Sequence, residues 1–530
     1  METYDAIIVG SGPNGLVNAA YLTKAGWNVL LLEKNEQPGG GAQTAELTLP
    51  GFKHDVYAGF FILYMLSQAS KDFGVELEKR GLKLIPTSTP TGVAMSDGRA
   101  TVLSKDMEAN VAEAERLAPG DGAAWKQLFK ELEELAPLIF GLLDSNLTSD
   151  RATEMIQELM LSKDKKTLSP FAGEFMMSAR DFLESTFQSD LWRGALAPWI
   201  IHTGHGPDEE NGGFWMRVFS MATQTAGQGV VVGGAVNYVQ AMVQLIKDQG
   251  GTVKTGTMVN KILIEDGKAV GVRTDTGEEY RASKAVITTT TPDQLYLNFL
   301  ADTDVVPAQI KQEAKKFRYS KHSVFVVHLA LDEAPRWKDE RMNEALYTHI
   351  VDGLNGVSKN FNETTRGLLP AEPSIAFGAP TNLDPSRAPE GKAVGVLHAI
   401  DVPYKLLGDA AGKIDVGDGT WSKEVKEQFA DRLIEITNQH IPNFSSSILA
   451  RNIICPTDLP KYNPNWKYGD WTSGSHSISQ HFMLRPLPSQ PTHQTVVPNL
   501  FMTGASTYPG LGLGGGSGYV LAQELIKGNV

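Results

Sequence analysis

The sequence predicts an α/β protein. A Rossmann-type dinucleotide-binding domain is assembled from discontinuous segments, and a mixed sheet and helical α+β domain caps it. Three observations predict this. A strand–glycine–helix–strand–acid unit occupies Tyr4 to Glu33; a helix, a strand pair and an apolar run occupy 235–288; a strand, a glycine-rich loop and a helix close the chain from Leu500. The binding domain is therefore expected from 1–60, 225–295 and 490–530, and the cap from 61–224 and 296–489.

The first unit is the most informative. Tyr4 to Val9 is a short apolar run that suits a buried parallel strand. Gly10, Gly12 and Gly15 follow in GxGxxG spacing. The first permits a tight turn, the second lets the backbone approach a pyrophosphate, and the third lets helix and strand pack closely. Pro13 leads into a helix from about Asn14 to Ala25, whose N–H groups point at the phosphates, and Gly26 ends it. Asn28 to Leu32 form a second strand with Glu33 at its end. A carboxylate there accepts hydrogen bonds from ribose hydroxyls and repels a 2′-phosphate, which disfavours NADP.

The later segments choose between FAD and NAD. "PGGGAQT" (Pro38 to Thr44), with Gly40, Gly41 and Ala42, sets a second glycine cluster beside the ribose acid, as in large flavoproteins. The middle segment reads as a helix from Ala235 to Gln249, a strand pair over Val259 to Thr274 turning at Asp266–Gly267, and an apolar run Ala285 to Thr288. The last reads as a strand, Leu500 to Thr503, and a helix from about Gly516 whose positive end can face a flavin or pyrophosphate. FAD is the expected cofactor, held without a covalent bond. There is no second strand-linked GxGxxG, so no built-in NAD(P)H domain is expected.

This layout resembles the FAD-dependent phytoene desaturase-like oxidoreductase superfamily. "GFKHDVYAGFF", "FLESTFQSDLWRGALAPW" and "HFMLRPLP" point to the branch of desaturase-type carotenoid ketolases and pyridine nucleotide-disulfide oxidoreductase domain-containing protein 2. The resemblance implies that Gly10, Gly12, Gly15 and Glu33 hold the ADP half of FAD, and that Lys34, Gly40 and Gly41 follow the ribose and pyrophosphate. It implies that Val259 offers its backbone to the adenine, and that Gly504, Ala505, Gly515 and Gly516 line the flavin end.

Composition narrows the partners. The 530 residues carry a net charge of -13, which disfavours nucleic acid. The single cysteine, Cys455, excludes an internal disulfide, a dithiol mechanism and any cysteine-based zinc or iron–sulfur site; it reads as a buried inert thiol. The first strand leaves no room for a signal peptide, so a cytoplasmic location is expected. Val56 to Ser70 is uncharged and apolar but shorter than the ~20 residues of a spanning helix. Peripheral membrane contact through it, and homo-oligomerisation, stay open.

The first cap block reads as helical and the second as mixed, with His322 to Leu331 as a strand. Phe60, Phe61, Tyr64, Met65, Trp192, Trp199, Phe214 and Trp215 supply either a core or the wall of an apolar pocket. His202, His205 and Asp208 lack the spacing of a metal site, and none is expected. His54 and His481 are placed to approach the cofactor or substrate. Arg485 either anchors a substrate oxygen or pairs with a structural acid, and the family resemblance implies that Tyr508 lies near the isoalloxazine. The expected function is an FAD-dependent oxidoreductase that removes hydride from an apolar isoprenoid or alicyclic molecule. A redox-neutral flavin isomerase, an amine oxidase and a non-enzymatic flavoprotein are the alternatives.

Overall fold

The computed structural model describes residues 2–162, 172–510 and 512–528. Thr3–Val9 (β1) leads through Gly10–Gly12 into the helix Pro13–Lys24 (α1) and back into Val29–Leu32 (β2). Much later the chain returns through Ala235–Asp248 (α2), Thr252–Lys254 (β3), Val259–Glu265 (β4), Lys268–Thr274 (β5) and Glu279–Thr288 (β6). It closes with Leu500–Met502 (β7) and Gly516–Lys527 (α3).

These strands make one seven-stranded sheet in the order β4-β5-β6-β1-β2-β3, with β7 also paired to β6. Pairing is parallel through β7, β6, β1, β2 and β3 and antiparallel through β4, β5 and β6. Besides β1, the ten-residue β6 serves two partners: Glu279–Arg281 pair with β5, and Val286–Thr288 with β7. The turn expected at Asp266–Gly267 is there, with both residues at positive φ (47° and 76°), as a tight hairpin requires.

Helix α1 is buried from Asn14 through Thr23, because α2 and α3 pack against it as well as the sheet. Glycine makes the α1–α3 contact close. A Cβ on Gly518 would stand 2.0 Å from the Asn14 carbonyl oxygen, and one on Gly15 2.1 Å from that of Gly10. Asn14 Oδ1 accepts from the Gly518 N–H at 3.1 Å, and Asn18 Nδ2 donates to the Gly518 carbonyl at 2.9 Å.

A second seven-stranded sheet runs in the order 448–454, 322–331, 393–403, 375–378, 347–350, 91–94, 100–103. All neighbours are antiparallel except 347–350 with 91–94. The block 61–224 was expected to be helical, yet it supplies two of these strands, Thr91–Ala94 and Ala100–Leu103. They are only four residues each, too short for a period to show. The helix Asp121–Leu143 and the packed Trp125 and Trp192 rings fit the helical reading of the rest.

Arg387 ties the segments around the two sheets together. Its guanidinium is 0% exposed and donates to Asp384 at 2.7 Å, to Asp55 at 3.0 Å and to the Val231 carbonyl at 2.9 Å. Asp55 also accepts from the Ala235 N–H and the Thr44 hydroxyl, and Asp384 from the Gly233 N–H. Burial opposes the ionised Asp384, but donors from Ser386, Gly233 and Arg387 still hold its carboxyl below the usual range.

Val56 to Ser70 contains no exposed residue: Phe61, Tyr64 and Ala69 belong to the core of the first sheet. Those three apolar side chains are thus spent inside the fold. Among the described residues no helix is long and apolar enough to cross a membrane.

Two expectations follow. Gly518→Ala should lower stability by ~1–3 kcal/mol through overpacking against the Asn14 backbone. Gly74→Ala, inside Gln68–Glu78 with nothing within 4 Å of the added Cβ, should raise it by up to ~1 kcal/mol. Thermal melts of both variants check the pair. Arg387→Ala strands two buried carboxylates and should cost about 3–5 kcal/mol in urea unfolding; a loss under 1 kcal/mol would mean the network does not hold these segments.

Candidate active site

One cleft of about 710 Å³ extends from the carboxyl ends of β1 and β2 to the face of the second sheet. Val9, Gly10, Gly12, Pro13, Asn14 and Gly15 line its first end, with Glu33, Lys34, Gly40, Gly41 and Val259. Gly10 has φ +98°, and Gly12 is the N-cap of α1 with no side chain capping the helix. A Cβ on Gly12 would meet nothing within 4 Å, so it would project into the space a pyrophosphate needs. The uncapped N-terminus of α1 thus offers backbone N–H groups and the positive helix end to an anion.

Glu33 is 6% exposed and tightly oriented. Its Oε2 accepts from the Ser11 N–H at 2.9 Å and the Ser11 hydroxyl at 2.7 Å, and its Oε1 accepts from the Asn35 N–H at 3.0 Å. Oε1 keeps acceptor capacity for a ribose hydroxyl. Tyr462 donates to the Gly40 carbonyl at 2.9 Å, bracing the second glycine cluster. These residues fit the ADP half of a dinucleotide. Ala42 is fully buried behind the wall, where its N–H bonds the Gly39 carbonyl.

The C-terminal loop meets the cleft through Gly504, Ala505, Gly512 and Leu513. Gly515 and Gly516 are off the wall. A Cβ on Gly515 would sit 2.5 Å from Val17 Cγ2 and one on Gly516 3.0 Å from Pro509 Cγ, so both serve close packing.

The four residues expected to meet substrate also stand behind the wall. Arg485 is fully buried and donates to backbone carbonyls, to Ala505 at 2.6 Å and to Ser475 at 3.1 Å. Burial pulls its pKa down to about 10, with the Asp470 carboxylate opposing that. It braces the loop that carries Ala505, which is neither role expected of it. Tyr508 is buried beside Phe482, with its pKa raised by burial. His481 packs among Trp215, His476 and Phe482. His54 bonds the Thr48 hydroxyl through Nε2 at 2.8 Å and lines a separate void of about 20 Å³. At Tyr508 the reason is visible: the backbone of its own loop at Gly504, Ala505 and Gly512 takes the cleft face, and the ring turns inward.

The far end of the cleft is walled by Phe60, Trp199, Phe219, Val324, Val326 and Ile400. Of the aromatic residues singled out in the sequence, Phe60 and Trp199 face it, while Phe61, Tyr64 and Trp192 pack in the cores. Its polar groups include the His202 and His398 imidazoles and the Tyr347 phenol, and His349 touches His202 from off the wall. His202 Nε2 lies 3.1 Å from His349 Nε2, and the Tyr347 hydroxyl 2.8 Å from His398 Nδ1. Burial lowers the pKa of His398 to about 4 and that of His349 to about 3, and moves His202 well below its ordinary value. All three are uncharged at neutral pH. His205 turns instead to the Thr203 hydroxyl and Asp208 to Arg180. Among the described residues no group of three or more His, Cys, Asp or Glu is arranged to hold a metal.

Tyr347 and His398, which line the cleft, were missed in the sequence. Their signal was present: each interrupts an otherwise apolar strand, in "LYTHI" and "VGVLHAI", where a buried polar group needs a partner or a task.

The profile of the flavin containing amine oxidoreductase family matches residues 14–516. The chain belongs to that family. It is 28% identical over 560 residues to mouse pyridine nucleotide-disulfide oxidoreductase domain-containing protein 2, covering 99% of this chain and 93% of the relative. It is 26% identical over 544 residues to one of the limonene dehydrogenase polypeptides of Castellaniella defragrans, covering 99% and 94%. A neurosporene-forming phytoene desaturase of Cereibacter sphaeroides is 26% identical over 538 residues, covering 98% and 94%. Among solved structures, an oxidoreductase of Methanosarcina mazei shares the fold at TM-score 0.61 with 15% identity, covering 99% and 100%. A putrescine oxidase shares it at 0.59 with 14% identity, covering 100% and 99%. This flavin amine oxidoreductase family member is an FAD-dependent oxidoreductase of the phytoene desaturase-like superfamily.

Glu33→Ala should weaken FAD binding by ~1–3 kcal/mol, the cost of losing a charged acceptor. Titration of the deflavinated protein, followed by flavin fluorescence, reads this. Wild-type affinity would remove Glu33 from the ribose site.

Proposed function

We propose that the enzyme dehydrogenates an apolar alicyclic or isoprenoid small molecule, converting a CH–CH unit to C=C. The observation that carries this reading is the continuity of the cleft: its apolar end adjoins Gly504, Ala505, Gly512 and Leu513 without an intervening wall. In this reading Gly10, Gly12, Gly15 and Glu33 hold the ADP half of FAD, with Lys34, Gly40, Gly41 and Val259 beside it, and 1–60, 225–295 and 490–530 form the cofactor-holding body. Bound there, FAD supplies the two-electron hydride acceptor. Trp199, Phe219, Val324, Val326 and Ile400 offer the substrate contact area.

The charge of the lining supports an apolar substrate over an amine. Glu33 is the sole carboxylate on the cleft among the described residues, and it lies at the opposite end. A cationic amine would have no counter-charge beside the apolar wall. The desaturase and limonene dehydrogenase relatives point the same way by name.

Anaerobic mixing of oxidised holoenzyme with limonene, phytoene, putrescine and cyclohexylamine tests the reading. Bleaching of the flavin by a terpenoid arm, with a product two hydrogens lighter, is expected. Bleaching by the amines alone would make it an amine oxidase, and a product of unchanged mass without net bleaching an isomerase.

A further inference from the structure

A second, smaller void lies beside the cleft and shares His398 with it. It measures about 20 Å³, and its titratable lining groups include His54, His328, His398 and Asp55, the last paired with Arg387. A polar void needs roughly 10–15 Å³ and two to four polar partners to hold a water molecule. This one meets both conditions. His398 borders the void and the large cleft at once, while Tyr347 borders the cleft.

The sheet register brings these groups together. His398 pairs with Val326, and Val396 with His328, so both imidazoles leave the same face of neighbouring strands. On that face Tyr347 is two strands away from its partner. It reaches His398 across Ala376 and Gly378, which present only a methyl group and a bare Cα, the space over Gly378 being taken by the Phe60 ring.

The hydrogen bonds give the path a direction. Burial keeps both groups uncharged, raising the Tyr347 pKa and lowering that of His398 to about 4; in the tautomer that the path uses, the phenol donates across their 2.8 Å contact and Nδ1 accepts. A neutral His398 then carries its proton on Nε2. His328 Nε2 lies 3.1 Å from the Val56 carbonyl, to which it must donate. Its Nδ1 is left as a buried lone pair without a protein partner. His54, whose ring centroid is 5.3 Å from that of His328, bonds Thr48, a half-buried residue.

We propose that Tyr347, His398 and His328 form a proton-exit path from the cleft, through the small void, to His54 and Thr48. The path rests on the dehydrogenase reading above, because only a reaction that splits off a proton needs one. Loss of two hydrogens sends one away with its electron pair as hydride, accepted by FAD. The electron pair of the second C–H bond becomes the new π bond. Its proton is taken by Tyr347 Oη as the phenolic proton moves to His398 Nδ1. The Nε2 proton of His398 then passes to water in the void, on to His328 Nδ1 or His54, and out to bulk water. Nothing is consumed besides the oxidant that FAD already supplies. Tyr347 is the acceptor that meets the substrate, and the histidines are relay residues behind it.

Nitrogen-15 NMR of FAD-loaded enzyme labelled at histidine tests the path without any substrate. The expected spectrum shows His398 protonated on Nε2, with an Nδ1 resonance that moves in Tyr347→Phe. Exchange of the Nε2 proton with bulk water should slow at least tenfold in His328→Leu or His54→Leu, with His328→Gln as the substitute if the leucine variant does not fold. A proton on Nδ1, or exchange indifferent to both substitutions, overturns the path. In a second arm, limonene and phytoene are mixed with holoenzyme: Tyr347→Phe should reduce flavin at least tenfold more slowly with its FAD content unchanged, and a wild-type rate overturns the role of Tyr347. If neither compound bleaches the wild-type flavin, the dehydrogenase reading fails, while the NMR outcome still decides whether the relay conducts protons.

Discussion

A guanidinium with no access to water sets the terms for this structure. Arg387 cannot lose its proton, so it must be met by charge and by hydrogen-bond acceptors wherever it is buried. Those acceptors come from three stretches of chain: Asp55 after the second glycine cluster, Val231 before α2, and Asp384 near the second sheet. Asp55 in turn receives the Ala235 N–H, which lies at the start of α2. A change of spacing between these segments would leave a buried charge unpaired, which costs several kcal/mol. The contact therefore resists relative motion of the parts that flank the cleft.

With those parts held, the cleft acquires a graded chemistry along its length. At one end it is backbone: glycines, a helix N-terminus and one oriented carboxylate. At the other it is apolar side chain, relieved by imidazoles that burial keeps neutral. The two environments suit a charged dinucleotide and an uncharged substrate respectively. Arg485 contributes from outside the cleft, holding the Ala505 carbonyl by a charge-assisted bond so that the loop presents backbone and not bulk.

Much of the first sheet was legible in the sequence because its signals are local. A glycine that needs positive φ, a turn at Asp266–Gly267, an apolar run of strand length and an acid at its end each act within a few residues of themselves. The first end of the cleft was legible for the same reason: Gly12 and Glu33 are separated by one helix and one strand. Tyr508, Arg485, His481 and His54 were less so. Their residue types suit catalysis, but type says nothing about which side of a loop faces the cavity.

By itself the sequence determined the dinucleotide unit, the parallel sheet and the expectation of FAD, since turn chemistry and strand–helix spacing follow from steric and hydrogen-bonding rules that operate along the chain. Only the tertiary structure decided what stands against the substrate end. Tyr347 and His398 are 51 residues apart, and they meet because strands 347–350, 375–378 and 393–403 pair in one register. Register is set by the burial of whole strand faces, a property of the assembled sheet, so no local pattern around either residue contains it.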